Sequence, residues 1–173
     1  IGCVLNLLAG LVIVGWFCRS AGLVQVLPGA APMRFNTAVC IALLGGAFIA
    51  ISRRAGWLPC ILGGAVLTIA AATLSQDIAG VDLAIDNLLF EDWTTLDWTT
   101  RGRMAINTAI CLITAGITCA SLGAPRLSRW QPLVECGCGA LMFAIGTVSG
   151  FGYLSGLEAA YGWGGSAGMA VHT

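Results

Sequence analysis

Apolar residues run along this chain in long blocks, and the charged residues fall between them. Charge-free runs cover 1–18, 35–52, 55–76, 104–125 and 136–157, with lengths of 18, 18, 22, 22 and 22 residues. A helix needs about 20 mostly apolar residues to cross a bilayer, so all five predict spans. Isolated strands leave backbone groups unsatisfied in lipid, and no period-2 alternation points to a barrel. A last run, 159–173, is Gly-rich and predicts a loop and the first turns of a sixth helix. The predicted class is all-α: a polytopic membrane helical bundle of five spans plus the start of a sixth.

The loops set an orientation. Loop 51–56 is short and holds Arg53 and Arg54, and loop 123–131 is short and holds Arg126 and Arg129. Loop 77–103 is the longest and carries Asp77, Asp82, Asp86, Glu91, Asp92 and Asp97. Short arginine-bearing loops stay in the cytoplasm. Loops 19–34, 77–103 and 154–168 then lie outside, with the N-terminus cytoplasmic, although Arg19 and Arg34 vote weakly the other way. Trp16, Trp57, Trp93, Trp98, Trp130 and Trp163 fall near predicted span ends, where indole rings suit the headgroup zone. The first run lacks the basic start and the small-residue cleavage site of a signal peptide.

One motif recurs. Met33-Arg34-Phe35-Asn36-Thr37-Ala38 opens the second span, Met104-Ala105-Ile106-Asn107-Thr108-Ala109 the fourth, and Met169-Ala170-Val171-His172-Thr173 the sixth. Upstream of each stands a related span end: Gly15-Trp16 with Ala21-Gly22-Leu23, Gln76-Asp77 with Ala79-Gly80-Val81, and Gly152-Tyr153 with Ser155-Gly156-Leu157. The unit is a helix, an outer loop, the Met-x-x-Asn/His-Thr motif and a second helix. Three tandem hairpins are therefore expected, at about 1–54, 55–129 and 130–173, in a single transmembrane domain. Hairpins of one orientation would pack with approximate threefold symmetry about the membrane normal.

These residues, with Gly80 to Phe90 between the first two motifs, resemble a membrane-embedded sensory region of bacterial signalling proteins. The resemblance covers nearly the whole chain. In that family such helices precede cytoplasmic PAS, histidine kinase or diguanylate cyclase modules. It implies signal input in the bacterial inner membrane, without implying a ligand. His172 departs from the Asn of the first two copies, and the sequence stops inside the sixth helix, before any such module.

Composition sharpens the picture. The chain is 58% hydrophobic and only 9% charged, where a soluble domain carries about 25%. Eight arginines balance eight acids and lysine is absent, so no basic face exists for nucleic acid. Gly45-Gly46, Gly63-Gly64 and Gly137 near Gly139 predict close helix contacts.

Candidate chemistry lies mostly in the repeated motifs. A polar residue inside a membrane helix is costly and is by default a functional candidate. Asn36, Thr37, Asn107, Thr108, His172 and Thr173 therefore form the candidate ligand set, converging near the outer leaflet on a small molecule or headgroup. The competing reading is structural: Asn and Thr glue helices together or cap them. Pro32 suits a first helical position and would put Asn36 about one turn inside its span. His172, the only histidine, could sense pH or hold a metal or haem, but reads first as a hydrogen-bonding stand-in for Asn. The eight cysteines read as small apolar residues, and Cys136-x-Cys138 has the wrong spacing for zinc or redox chemistry. The acidic loop lacks a calcium-loop pattern and reads as an amphipathic segment on the outer surface, anchored by Trp93 and Trp98. Phe90, Trp93 and Trp98 are then candidate contacts for another protein. Glu135, close to Arg126 and Arg129, reads as ion-paired or simply hydrated at the interface rather than as a proton relay.

The expected role is a membrane sensory input domain with a cytoplasmic signalling partner or a second copy. The alternative is a structural subunit of a photosynthetic or respiratory membrane complex. A small transporter fits less well, because no broken helix or midplane polar group is visible. No enzyme chemistry, metal or cofactor is expected.

Overall fold

The computed structural model describes residues 1–25, 31–81, 85–86, 90–94, 102–124, 129–162, 169–170 and 173. They form seven helices: α1 (Gly2–Phe17), α2 (Ala21–Val24), α3 (Phe35–Ser52), α4 (Leu58–Ala79), α5 (Ile106–Gly123), α6 (Gln131–Ser155) and α7 (Glu158–Tyr161). No strand occurs among the described residues. Helices α3, α4, α5 and α6 are long and apolar enough to cross a membrane, which makes this a multi-pass membrane protein. The first predicted span folds as a helix of 16 residues, shorter than the other four. Leu7, Leu11 and Phe17 of α1 and Leu133, Phe143 and Phe151 of α6 face outward. In water such faces would drive aggregation, whereas hydrocarbon accepts them.

Helix α1 packs on α3, and α4 on α5. Helix α3 also touches α4 and α5, and α5 touches α6. Half of the residues of α3 are buried but only 11% of the most apolar 18-residue stretch of α6, so α3 lies inside and α6 at the edge. The core joins Val12 and Trp16 of α1, Ile41 and Leu44 of α3, Val66 of α4, and Leu112 of α5.

Several boundaries differ from the charge-based expectation. α3 starts at Phe35, so Pro32 precedes the helix and Asn36 is only its second residue. Prolines occupy the first turns of α4 and α6 instead, as Pro59 and Pro132. There their missing N–H is harmless and their fixed φ fits the helix. α4 runs past Asp77 to Ala79, because Arg103 pairs with that carboxylate. α6 starts at Gln131 and takes in Glu135, which accepts hydrogen bonds from Ser121 (2.6 Å) and Gln131 (3.1 Å). These contacts help hold it in the helix; Arg126, one of its expected partners, lies outside the described residues.

Three helices end the same way. The N–H of Ser20 donates to Gly15, that of Val81 to Gln76 and that of Leu157 to Gly152. The left-handed residues that turn the chain are Arg19 (φ 50), Gly80 (φ 65) and Gly156 (φ 71). This closure satisfies orphan carbonyls at the helix end. Gly22, aligned by sequence with Gly80 and Gly156, is not the turning residue of the first copy: Arg19 is.

Seventeen residues before Arg19 and before Gly80 stand Gly2 and Gly63. Each meets a glycine of its partner helix. A Cβ on Gly2 would lie 2.7 Å from the Gly45 carbonyl oxygen, and one on Gly63 would lie 2.7 Å from that of Gly116. Gly123 sits 2.6 Å (again from a built Cβ) from the Cys60 nitrogen. Gly64, Gly137 and Gly139 by contrast face open space. Since lipid supplies no hydrophobic drive between helices, close backbone approach is what holds these seams. Gly63→Ala and Gly116→Ala should each cost about 1–3 kcal/mol, because helix backbone must move. Gly64→Ala should be silent. The midpoint of SDS-induced unfolding in detergent micelles measures all three.

Candidate ligand site at the long-loop end

The two Asn residues of the repeated motif stand at the second position of α3 and of α5. Both sit at the end of the bundle that carries the long loops. Asn36 donates through Nδ2 to the carbonyls of Ile85 (3.3 Å) and Asp86 (3.2 Å). Asn107 donates through Nδ2 to the Tyr161 carbonyl (3.1 Å) and Ser149 Oγ (3.4 Å). Ile85 and Tyr161 each lie five residues past a left-handed glycine, Gly80 and Gly156. Each Asn thus clasps the loop that leads to the following copy of the motif. Buried carbonyls need donors, and a carboxamide supplies two.

Thr37 and Thr108 are buried beside their Asn neighbours. The Thr108 N–H donates to Asn107 Oδ1 (3.1 Å). Asn36 and Asn107 serve two separate clasps on different loops. Thr173 lies near Met169 and Tyr153, where a cavity of about 500 Å³ opens beside Cys111 and Ser149. His172 and Trp98 lie outside the described residues.

Aromatic side chains brace the same end. Trp16 is fully buried and donates through Nε1 to the Met33 carbonyl (2.9 Å). Phe35, Phe90 and Trp93 surround its ring at centroid distances of 6.2, 5.8 and 5.7 Å. Phe90 and Trp93, expected to lie at the outer surface as contact points, turn inward onto Trp16. Burial of a large ring against other rings outweighs an interfacial position. Trp57 and Trp130 do face outward, at the starts of α4 and α6. In the third copy Tyr153 takes the place of Trp16, with its hydroxyl donating to the Met169 carbonyl and its ring stacked on Tyr161 at 4.0 Å.

Charge was expected at the surface of this loop, yet the structure buries Asp86 and Asp92, while Glu91 stays exposed. Asp92 pairs with Arg34 and is 1% exposed. Its Oδ1 accepts from the Thr94 N–H (2.7 Å) and hydroxyl (2.6 Å), and its Oδ2 accepts from the Gly102 N–H (2.8 Å). A second cluster joins Arg103 to Asp77 (3.2 Å) and Asp86 (3.4 Å), with Gln76 Nε2 donating to Asp86 (2.9 Å). Sequence reasoning missed Arg34, Gln76, Asp86, Asp92 and Arg103 as a network. The available signal was that Arg34 and Arg103 each adjoin a motif methionine, Met33 or Met104.

Burial alone would raise the Asp92 pKa. The Thr94 hydroxyl, Arg34 and the backbone N–H groups of Thr94 and Gly102 outweigh it and hold the carboxyl below its ordinary 3.8. Burial pulls the Arg34 guanidinium below its ordinary value, against the pull of Asp92 and Asp86. An arginine still keeps its proton in proteins.

No protein-family model, curated protein or solved structure matches this chain. The geometry must therefore carry the functional reading.

Arg34→Met should cost about 3–5 kcal/mol, because it strands a buried carboxylate. SDS unfolding reads the loss, and Arg34→Lys should recover part of it. The Asp92 contribution is fully present above its unfolded pKa near 3.8 and is lost as pH falls through the lower folded value. Hydrogen-exchange protection of the Thr94 and Gly102 amides should drop over that acid range. Asp92→Asn should remove the pH dependence.

Proposed function

We propose that this chain is a membrane sensory input domain, coupling a periplasmic or membrane-borne signal to a cytoplasmic signalling module. The observation that carries the proposal is the pair of Asn clasps. Each ties the start of one inner helix to the loop that feeds the next inner segment. A ligand that favours one arrangement of a clasp shifts the packing of the following helix, and only differential affinity can drive such a shift.

The supporting architecture is three tandem hairpins, α1 with α3, α4 with α5, and α6 with the segment opening at Met169. Equal helix closures and the matched Gly2–Gly45 and Gly63–Gly116 contacts support the first two. Gly139 stands seventeen residues before Gly156, the same spacing as Gly2 and Gly63, which supports the third. The short arginine-bearing loops orient the bundle with the clasps outside, in a bacterial inner membrane, with the N-terminus in the cytoplasm.

The second reading is an accessory subunit of a larger membrane complex. It rests on α6, whose most apolar 18-residue stretch is 11% buried and which exposes Phe143 (76%) and Phe151 (66%). Recovery of the chain from native membranes in a pigment or redox complex would establish it.

The test replaces both clasps by Asn36→Leu and Asn107→Leu in the full gene product expressed in its host. Unchanged helix content with a lost signalling response supports the sensor. An unchanged response overturns it. Alkylation of cysteines placed at Arg53 and Glu91 checks the topology, because the two sites should react from opposite sides of the membrane.

A further inference from the structure

The seam between α3 and α4 holds a cavity of about 320 Å³ directly beneath the first clasp. Asn36, Val39, Thr68, Ile69, Ala72 and Thr73 line it. Thr68 is exposed on the outer face of α4, so the cavity opens sideways toward the hydrocarbon. Its walls are apolar except for three oxygen-bearing side chains.

Those oxygens share one property. Thr68 donates its hydroxyl proton to Gly64 (2.9 Å), and Thr73 donates its own to Ile69 (3.1 Å). Both Asn36 amide protons go to Ile85 and Asp86. Two carbonyl partners fix the orientation of this carboxamide, since only the NH₂ end can donate. Its Oδ1 is left buried without a donor, on a residue 5% exposed. The cavity therefore offers acceptors and no spare donor. A buried acceptor left unmet carries a desolvation penalty, which a ligand O–H would relieve.

The second clasp lacks these features. Asn107 Oδ1 already accepts from the Thr108 N–H, and Ser149 engages its Nδ2. Counted from Gly156 as Thr68 and Ala72 are from Gly80, the matching residues are Ala144 and Val148. One hydroxyl is gone and one small side chain has grown.

We propose that the α3–α4 cavity binds a compact, membrane-soluble alcohol or phenol, whose hydroxyl donates to Asn36 Oδ1 while its apolar body lies against Val39, Ile69 and Ala72. A water molecule occupies about 30 Å³ of liquid, so the space suits roughly ten heavy atoms. Acceptor-only lining selects the hydroxylated form of such a molecule over its ether or ketone, which would set lone pairs against lone pairs. The inference deepens the sensory reading by naming the ligand class of one clasp, and its test does not depend on signalling.

The test uses the whole chain in lipid nanodiscs with 2-naphthol as the fluorescent probe and 2-methoxynaphthalene as its donor-free match. Nanodiscs carrying Ala72→Phe, which fills the cavity, serve as the blank for partition into lipid. Saturable 2-naphthol binding above that blank is expected, with the methoxy compound about tenfold weaker, the loss of one good hydrogen bond (about 1.4 kcal/mol). Thr73→Val keeps shape and should weaken 2-naphthol about threefold. Equal binding of the two compounds, or 2-naphthol uptake no greater than in the blank, overturns the proposal, the cavity then holding water or lipid alone. If Ala72→Phe fails to fold, the comparison of the two compounds on the unmodified chain decides. Binding with no effect on signalling would sink the sensory reading and leave this one standing.

Discussion

Loop carbonyls folded back into the end of a helical bundle must find donors, and two asparagine amides provide them here. Without Asn36 the carbonyls of Ile85 and Asp86 would lose their side-chain donor, and Asp86 belongs to the charge cluster of Arg103. Everything at the long-loop end is arranged around that need. The aromatic side chains exclude solvent, Arg34 and Arg103 neutralise the carboxylates that come inside, and the left-handed closures of α1, α4 and α6 aim each loop across the bundle. In a low-dielectric setting such a network is stable only when nearly every member is met. Among the described residues, Asn36 Oδ1 is the buried side-chain amide oxygen left unmet.

The other end and the middle of the bundle follow a different rule. The middle is apolar or lined by small residues, while the other end adds the Ser121, Gln131 and Glu135 cluster, and α4 and α5 touch backbone to backbone through Gly63, Gly116 and Gly123. That contact is rigid and leaves no room for adjustment. The α3–α4 seam is looser, with Ala72 and Thr73 where a larger pair would fill the space.

Much of the architecture was legible along the chain. The charge-free runs located four long apolar helices, because burying an unpaired charge in hydrocarbon is prohibitive and composition must obey. The Met-x-x-Asn-Thr repeat pointed to Asn36 and Asn107, and both are buried at matching positions on α3 and α5. Reading the acidic loop as a surface segment failed for Asp86 and Asp92. Each carboxylate is tolerable inside only because a distant residue, Arg103 or Arg34, arrives beside it. Phe90 and Trp93 turned inward for the same reason, since Trp16 waits across the bundle.

The chain by itself determined the solvent it needs, the places of four long apolar helices and the recurrence of one polar motif, because hydropathy and periodicity are local properties of neighbouring residues. Only the tertiary structure decided that the two asparagines hold different loops. It also decided which glycines touch, and that Asn36, beside a cavity, keeps an unmet acceptor while Asn107 does not. Those outcomes depend on partners about 40 to 60 residues away in sequence. No local pattern encodes which donor will reach which carbonyl once the helices have packed.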